Sequence, residues 1–514
     1  MLLRTSLLAK LAFIAIVSFA SPTAADVPAP QSTASQRPNI VYILCDDLGY
    51  GDVHALNPRR GKIKTPNIDK LCSEGMTFTD AHGASSVCTP SRYGILTGRY
   101  PWRTSLQSGV LLGMSPPLIS RTQLTVAEML KKQGYATGMI GKWHLGMTFG
   151  KDPFADPIKD DPLQHGFDYF FGISASLDMP PFVYIENQKF TEVPTVTKTW
   201  LRSGPAAKDF EAENVLPDFT KKAVAYIADH AADAKIGKPF FLYVAWSAPH
   251  TPILPTTEWQ GKSGLGPYGD FVMETDWATG EVAKALDAAG IADNTLLIFT
   301  SDNGCSPAAG IQKLESAGHY PSAQFRGYKA DIWDGGHRIP FIARWPGKIK
   351  PGTESSQISC LNDLMATCAD IVGVRLPSNA EDSVSMLPAL LGQDRFPLRE
   401  AVVHHSIDGY FAIRKGKWKL ELCAGSGGWS APKEDAAKKE NLPPIQLYDM
   451  TVDESERKNV AAENPLVVKE LTALLEKYVK DGRSTPGPEE PNDAKITIRK
   501  GPNATRTIDP LRGD

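Results

Sequence analysis

Asn39-Ile-Val-Tyr-Ile-Leu-Cys45 runs without a break into Asp46-Asp47. A strand with one face in water alternates polar and apolar residues. This one does not, so it suits a strand covered on both faces of a mostly parallel sheet. Three more segments repeat the pattern of an apolar, β-branched or aromatic run that ends abruptly in polar residues. Ala136-Thr-Gly-Met-Ile140 meets Gly141-Lys142-Trp143-His144, Pro239 to Trp246 meets Pro249-His250, and Thr295 to Thr300 meets Asp302-Asn303. Helical patterns lie between these runs. One opens with Thr65-Pro66 and stops near Gly75, with proline in the first turn and glycine at the end. Another begins with a capping-box pattern from Thr125 to Glu128 and closes at Gly134. Amphipathic stretches cover 216–234 and 270–289. Strands alternating with helices predict an α/β fold with a large doubly wound sheet, mixed but mostly parallel and flanked by helices. Such sheets bind ligands at the carboxyl ends of their strands. The polar residues that end the four runs are therefore expected to converge.

Working outward, the expected large α/β domain covers 38–375. Beyond it, Leu398 to Leu422 reads as short strands with turns at Asp408-Gly409 and Lys415-Gly416, an antiparallel sheet. Residues 424–446 read as a Gly-rich, then Lys-rich loop, and Leu466 to Val479 as a closing helix. Together these make a smaller C-terminal antiparallel sheet plus helix, an α+β subdomain over 376–481. The polar stretch 482–514, rich in Pro and Gly, reads as a mobile tail. Asn503-Ala-Thr505 within it matches a glycosylation sequon, without meaning if the host is bacterial.

At the other end, Arg4 and Lys10 flank and interrupt a short apolar stretch, continuous from Leu11 to Ala20. Small residues follow, and Ala20 or Ala25 could end a cleavage site, so 1–25 reads as a signal peptide. The apolar run is well short of the ~20 residues that span a bilayer. Stable membrane insertion is not expected, a retained anchor being the alternative. Residues 26–37 follow as a flexible leader. The expected destination is the periplasm or the exterior.

With 514 residues, 42% hydrophobic and 22% charged, the chain is globular and long enough for one large domain plus a smaller one. A formal net charge of −3 provides no basic field, which argues against nucleic acid or an anionic membrane as the main partner. Any bound anion must be caught by a local cluster of cations. Seven cysteines is an odd number for an exported protein, so at least one is unpaired or chemically used. Their spacings suggest neither a zinc site nor a disulfide framework.

Asp46 and Asp47 repel each other unless solvated or bound to a cation. The pair fits a hard metal ion such as calcium, and it also fits a solvated turn. Asp302-Asn303-Gly304, at the end of another run, offers two more oxygen ligands. In Ser86-Val-Cys-Thr-Pro-Ser-Arg92, Thr89-Pro90 begins a helix that reaches Gly98. Cys88 would sit at its N-terminus, where free N–H groups favour negative charge, with Arg92 one turn up. That cysteine reads as a thiolate nucleophile or as a buried structural residue. Lys142 and His144, two apart, could equally be a solvated pair, and His250 a turn residue.

The Cys88-x-Pro90-x-Arg92 arrangement, continued by Leu96-Thr-Gly-Arg99, resembles the signature of the formylglycine-dependent sulfatases, of the arylsulfatase and N-acetylgalactosamine-6-sulfatase type in the alkaline-phosphatase superfamily. Gly141-Lys-Trp-His-Leu-Gly146 resembles that family's second signature, and Gly172 to Asp178 its serine-bearing segment, with Ser176 aligned better than Ser174. His250 matches the leaving-group histidine. Gly327-Tyr-Lys329 with Asp334-Gly-Gly-His-Arg338 looks like the segment of the second sulfate-binding lysine, although many members carry Glu where Asp334 stands. The resemblance spans roughly 38 to 480. It implies a sulfatase with one calcium ion, in preference to magnesium, held by Asp46, Asp47, Asp302, Asn303 and residue 88. It implies Cys88 oxidised to formylglycine by a maturing enzyme, Arg92, Lys142 and Lys329 around the sulfate, and His144 and His250 moving protons. Export points to a sulfated carbohydrate substrate, such as a galactose- or N-acetylgalactosamine-6-sulfate, contacted by Ser176 and His405, with His404 and Trp333 as further pocket candidates. The alternatives are an arylsulfatase of broad specificity, a phosphonate or phosphodiester hydrolase, and a non-catalytic calcium-dependent glycan-binding relative.

Overall fold

The Asn39–Cys45 run forms strand β1, buried along its whole length. The computed structural model describes residues 37–500; the expected signal peptide and the sequon at Asn503 lie outside the described residues. Nine more strands join β1: β2 (Met76–Phe78), β3 (Ala136–Lys142), β4 (Tyr169–Ile173), β5 (Ile185–Glu186), β6 (Lys189–Phe190), β7 (Phe240–Ala245), β8 (Thr295–Ser301), β9 (Phe341–Arg344) and β10 (Thr353–Ser355). Their order is β10-β2-β9-β8-β1-β7-β3-β4-β5-β6. The central five, β8-β1-β7-β3-β4, are parallel, and antiparallel pairs lie toward both edges. The sheet is mixed and mostly parallel, as expected.

Both faces are covered, which is why the runs do not alternate. Ile40, Tyr42 and Leu44 pack in one core with α2 (Cys88–Thr97), α3 (Val126–Lys132) and α6 (Leu364–Val372). Val41, Ile43 and Cys45 pack in another with α1 (Pro66–Glu74), α4 (Val215–Lys235) and α5 (Pro267–Ala288). Each such side chain contributes ~1.5–3 kcal/mol by leaving water, so a polar residue within a central run would be costly on either face. Thr125 caps α3 by accepting a bond from the Glu128 N–H.

The second sheet is antiparallel: β11 (Val402–His405), β12 (Phe411–Lys415), β13 (Trp418–Glu421) and β14 (Gln446–Asp449). Helix α7 (Pro465–Lys480) packs Leu471, Leu475 and Tyr478 into its core beside Tyr100 and Trp102, which come from the large domain. The described residues from Arg37 onward fall in one compact unit.

Three details differ from the sequence reading. A short helix, Glu434–Lys439, interrupts the loop expected over 424–446. Strand β3 runs on to Lys142, so that lysine ends the strand instead of following it. The stretch after Gly482, expected to be mobile, is tied down as far as Asp493. Asp493 pairs with Arg99 at 2.8 Å and Asn492 accepts from Arg103 at 2.9 Å. Its polar composition hid these partners, because both arginines lie almost 400 positions earlier. No disulfide joins the seven cysteines. Among the described residues no helix is long and apolar enough to cross a membrane.

Candidate active site

Parallel strands end on one edge, and there the polar residues meet. Asp46 follows β1, Lys142 ends β3, and Asp302 follows β8. Gly141 can precede that lysine because the chain is tight there: a Cβ on it would fall 1.8 Å from the Ala245 carbonyl oxygen of β7. Two non-glycine residues at these strand ends, Asp47 (φ 66°) and His144 (φ 58°), adopt the left-handed region. Such strain is retained where the surroundings hold it, and it concentrates at functional sites.

Cys88 opens α2, as the Thr-Pro pair predicts, and Arg92 lies one turn further on. The Arg92 guanidinium grips Asp302 Oδ2 through Nη2 at 2.8 Å and Nε at 3.0 Å, and reaches Asp46 Oδ1 at 3.7 Å. Lys142 Nζ donates to Asp46 at 2.6 Å. Lys329 pairs with Asp47 at 2.7 Å, and His250 Nε2 lies 3.7 Å from the same carboxylate. The Asn303 amide donates to Asp47 at 2.8 Å. Lys329 belongs to a loop stitched across this edge: its N–H bonds the Cys305 carbonyl at 2.9 Å, and the Ala330 N–H bonds that of Ser86 at 2.8 Å. All these residues are buried.

The metal-ligating atoms of Asp46, Cys88 and Asp302 lie within 4.8 Å of one another, as do those of Asp46, Asp47 and His250. The donor set is dominated by carboxylate and amide oxygen, which suits a hard cation. Asp46 Oδ1 and Asn303 Oδ1 are buried without a hydrogen-bond partner, an expensive arrangement unless a cation faces them. Burial, and then the charge of Asp46, push the Asp302 carboxyl up to about 7. A divalent ion would relieve that repulsion. These residues fit a site for a hard divalent cation.

Burial also pushes the Cys88 thiol up, against the opposing pull of Lys142 and Lys329. The thiolate expected at a helix N-terminus is therefore not favoured here, because desolvation outweighs the nearby cations. His144 is held neutral: burial, then Lys142 and Arg92, push its pKa well below the usual histidine range. Its Nε2 donates to the Leu111 carbonyl at 2.7 Å, which leaves the lone pair on Nδ1, buried and without a partner. Leu111 is in turn fixed by its N–H, which donates to Thr89 Oγ1 at 3.2 Å. No sequence signal marks Leu111, because a backbone carbonyl does the work.

Ser176 Oγ and both ring nitrogens of His405 are buried without partners. Neither side chain bonds to the cluster above. Trp333 and His404 also make no hydrogen bond to that cluster. Trp333 donates to Gln446 at 3.3 Å, and His404 stacks on His337 at 3.9 Å. Asp334, whose part was open, accepts from Lys419 and Arg338 in a separate buried network.

A doubly wound sheet whose carboxyl edge gathers acids, cations and two histidines around one reactive position defines a hydrolase site for an anionic ester. The sulfatase family model matches residues 38–374, and the chain belongs to that family. It is 36% identical over 488 residues to an N-acetylgalactosamine-6-O-sulfatase of Bacteroides thetaiotaomicron, covering 86% of this chain and 93% of that protein. It is 34% identical over 484 residues to arylsulfatase A of Homo sapiens, covering 89% and 90%. A solved structure from work on the metabolism of multiple glycosaminoglycans by Bacteroides thetaiotaomicron superposes with a TM-score of 0.76 at 34% identity. That match covers 86% of this chain and 99% of the other. The protein is a sulfuric ester hydrolase.

Proposed function

We propose that this sulfatase desulfates a carbohydrate, with galactose- or N-acetylgalactosamine-6-sulfate units as the preferred substrate, after export to the periplasm or beyond. The observation that carries this reading is the cluster itself: three buried cations and an oxygen-rich set around Cys88, with two carboxylate or amide oxygens left without partners. The 36% identity to an N-acetylgalactosamine-6-O-sulfatase along nearly the whole chain supports the choice of sugar.

In this reading a maturing enzyme oxidises Cys88 to formylglycine, whose hydrate supplies two hydroxyls. Asp46, Asp47, Asp302, Asn303 and residue 88 would hold calcium, which when bound offsets negative charge around the sulfate and favours the alkoxide form of the hydrate. Arg92, Lys142 and Lys329 bind the sulfate oxygens, where charge spreads as the ester breaks. One hydroxyl attacks sulfur, the bond from sulfur to the sugar oxygen breaks, and His250 gives that oxygen a proton. His144 Nδ1, held as the free base by its Nε2–H bond to Leu111, then takes the proton of the remaining hydroxyl. Sulfate departs and the aldehyde returns. Ser176 and His405, with buried polar atoms awaiting partners, would face the sugar.

The test is a desulfation screen over defined sulfated saccharides, using protein whose residue 88 is confirmed as the aldehyde by peptide mass. Sulfate release from 6-sulfated galactose-type units is expected. Release from nitrophenyl sulfate alone, or faster turnover of phosphodiesters, would overturn the reading.

A further inference from the structure

None of the residues in that mechanism lines the chain's separate cavity of about 380 Å³. It lies along Tyr320–Tyr328 and takes its remaining wall from Arg60, Glu315, Trp333 and the segments around Ser430 and Arg457. Its size is at the lower end of the range of small-molecule sites. Its charge is unusual for a chain of net charge −3: three arginines face it, Arg60, Arg326 and Arg457, against one acid, Glu315. Glu315 is engaged, accepting from the Tyr328 hydroxyl at 2.6 Å.

The arginines are not engaged by acids. None of the three makes an ion pair, although most other arginines among the described residues do. Arg60 lies flat on Tyr320 with its guanidinium carbon 3.5 Å from the ring centre, and Arg326 lies on Trp333 at 3.5 Å. Arg326 spends Nη1 on the Glu456 carbonyl at 2.8 Å. Stacking fixes the plane of a guanidinium while leaving its edge donors free, so part of the entropy cost of binding is met before a ligand arrives. A planar fork of this kind matches sulfate or carboxylate. Ser322, Ser430 and Ser455 also line the wall, with their hydroxyls already donated to Gly327, Asp331 and Gln324. An apolar or cationic ligand would leave these arginines unpaired.

We infer that this cavity is a second saccharide site, which holds a sulfated or carboxylated sugar unit of an anionic glycan through Arg60 and Arg457. The inference rests on the carbohydrate reading of the protein. It makes the chain a binder of oligosaccharides, with one anionic unit held here while the catalytic site serves the same or another strand.

Calorimetry on the full-length protein tests the binding directly, without turnover, if it is expressed without the maturing enzyme so that Cys88 stays a thiol. The probes are a 6-sulfated glycosaminoglycan tetrasaccharide, the 6-sulfated monosaccharide and inorganic sulfate. The double substitution Arg60→Gln with Arg457→Gln should weaken tetrasaccharide binding about tenfold, the size expected for lost charge-assisted bonds. It should leave the melting temperature and the matured enzyme's turnover of the monosaccharide unchanged. Unchanged tetrasaccharide binding in the variant would overturn the site, and so would inorganic sulfate binding as tightly as the tetrasaccharide. Failure of the matured enzyme to desulfate any saccharide would instead count against the function proposed above, and the calorimetric result would still decide the cavity.

Discussion

Two clusters of buried charge share the loop from Arg326 to Arg338, and they are built in opposite ways. One is the active site, reached through Lys329. The other surrounds Lys419 of the small sheet, whose amine meets Asp334 at 2.8 Å, Glu421 at 3.1 Å, Glu456 at 2.5 Å and the Ile332 carbonyl at 3.0 Å. Asp334 also pairs with Arg338, which pairs with Asp80, which binds His82 and Arg414. That network closes around one amine, Lys419, and ties the two sheets together, although both Glu421 carboxylate oxygens are buried without a hydrogen bond. The active site is open instead: the ligating atoms of Asp46, Cys88 and Asp302 lie within 4.8 Å of one another, and Asp46 Oδ1 and Asn303 Oδ1 lack a hydrogen-bond partner. Buried charge thus serves two ends, and the gathering of carboxylate and amide donors around residue 88 tells them apart.

The largest effect should follow from breaking the open cluster. Asp302→Ala removes a proposed metal ligand and the carboxylate that Arg92 grips through two nitrogens. Activity should fall by more than about 10³-fold, beyond the loss of a single oxyanion donor. Bound calcium, measured by elemental analysis, should go with it, while the fold remains. Full activity after verified removal of divalent ions would refute the open-cluster view.

Breaking the closed cluster should cost stability instead. Lys419→Met leaves Asp334, Glu421 and Glu456 buried without their shared cation, a loss of ~3–5 kcal/mol. Denaturant unfolding should show it, and the folded fraction should keep its turnover. Activity lost at unchanged stability would mean that the network belongs to the catalytic machinery and that the contrast is false.

The two histidines sharpen the picture of the open cluster. Loss of a general acid costs ~10²–10⁴-fold where the leaving group needs its proton. His250→Ala should show that loss on a sulfated sugar and much less on nitrophenyl sulfate, whose phenolate leaves readily. His144→Ala should trap sulfate on residue 88, visible as a burst and as added mass after quenching. Equal losses on both substrates would show that His250 is not the acid.

Much of this was legible in the sequence, for physical reasons. The unbroken runs at Asn39, Ala136, Pro239 and Thr295 located four of the five central strands, all but Tyr169–Ile173, because a sheet covered on both faces favours continuous apolar runs. The acids, the one lysine and the histidines that end those runs pointed to the candidate site, because parallel strands deliver their carboxyl ends to one edge. The positions of Cys88 and Arg92 followed from Thr-Pro helix initiation. What stayed hidden depended on partners distant in sequence. The neutral state of His144 needs Leu111, a backbone acceptor that no pattern marks. The closed network joins Asp80, Asp334, Lys419 and Glu456, each unremarkable in its own segment. The cavity arginines became visible only when their lack of acidic partners could be checked.

The smallest effect calibrates all the others, because both clusters contain buried histidines whose acid response needs a baseline. His165 lies outside both clusters and stacks on Trp143 at 5.9 Å. Burial, and then the charge of Arg121, push its pKa from 6.5 down to about 4. Above pH 6.5 the ring is neutral in both folded and unfolded chains and contributes nothing to pH dependence. As pH falls below that value the unfolded chain takes up a proton that the folded protein refuses, so stability declines until about pH 4. Between pH 6.5 and pH 5.5 the linkage amounts to about 1 kcal/mol. His165→Phe keeps the stack on Trp143 and removes the titration, so wild type should lose that much more stability than the variant over this interval. The measurement is urea unfolding of both proteins at the two pH values. Parallel losses would show that His165 does not resist protonation in the fold, and the acid sensitivity of the protein would then belong to the clustered histidines His82, His337 and His404.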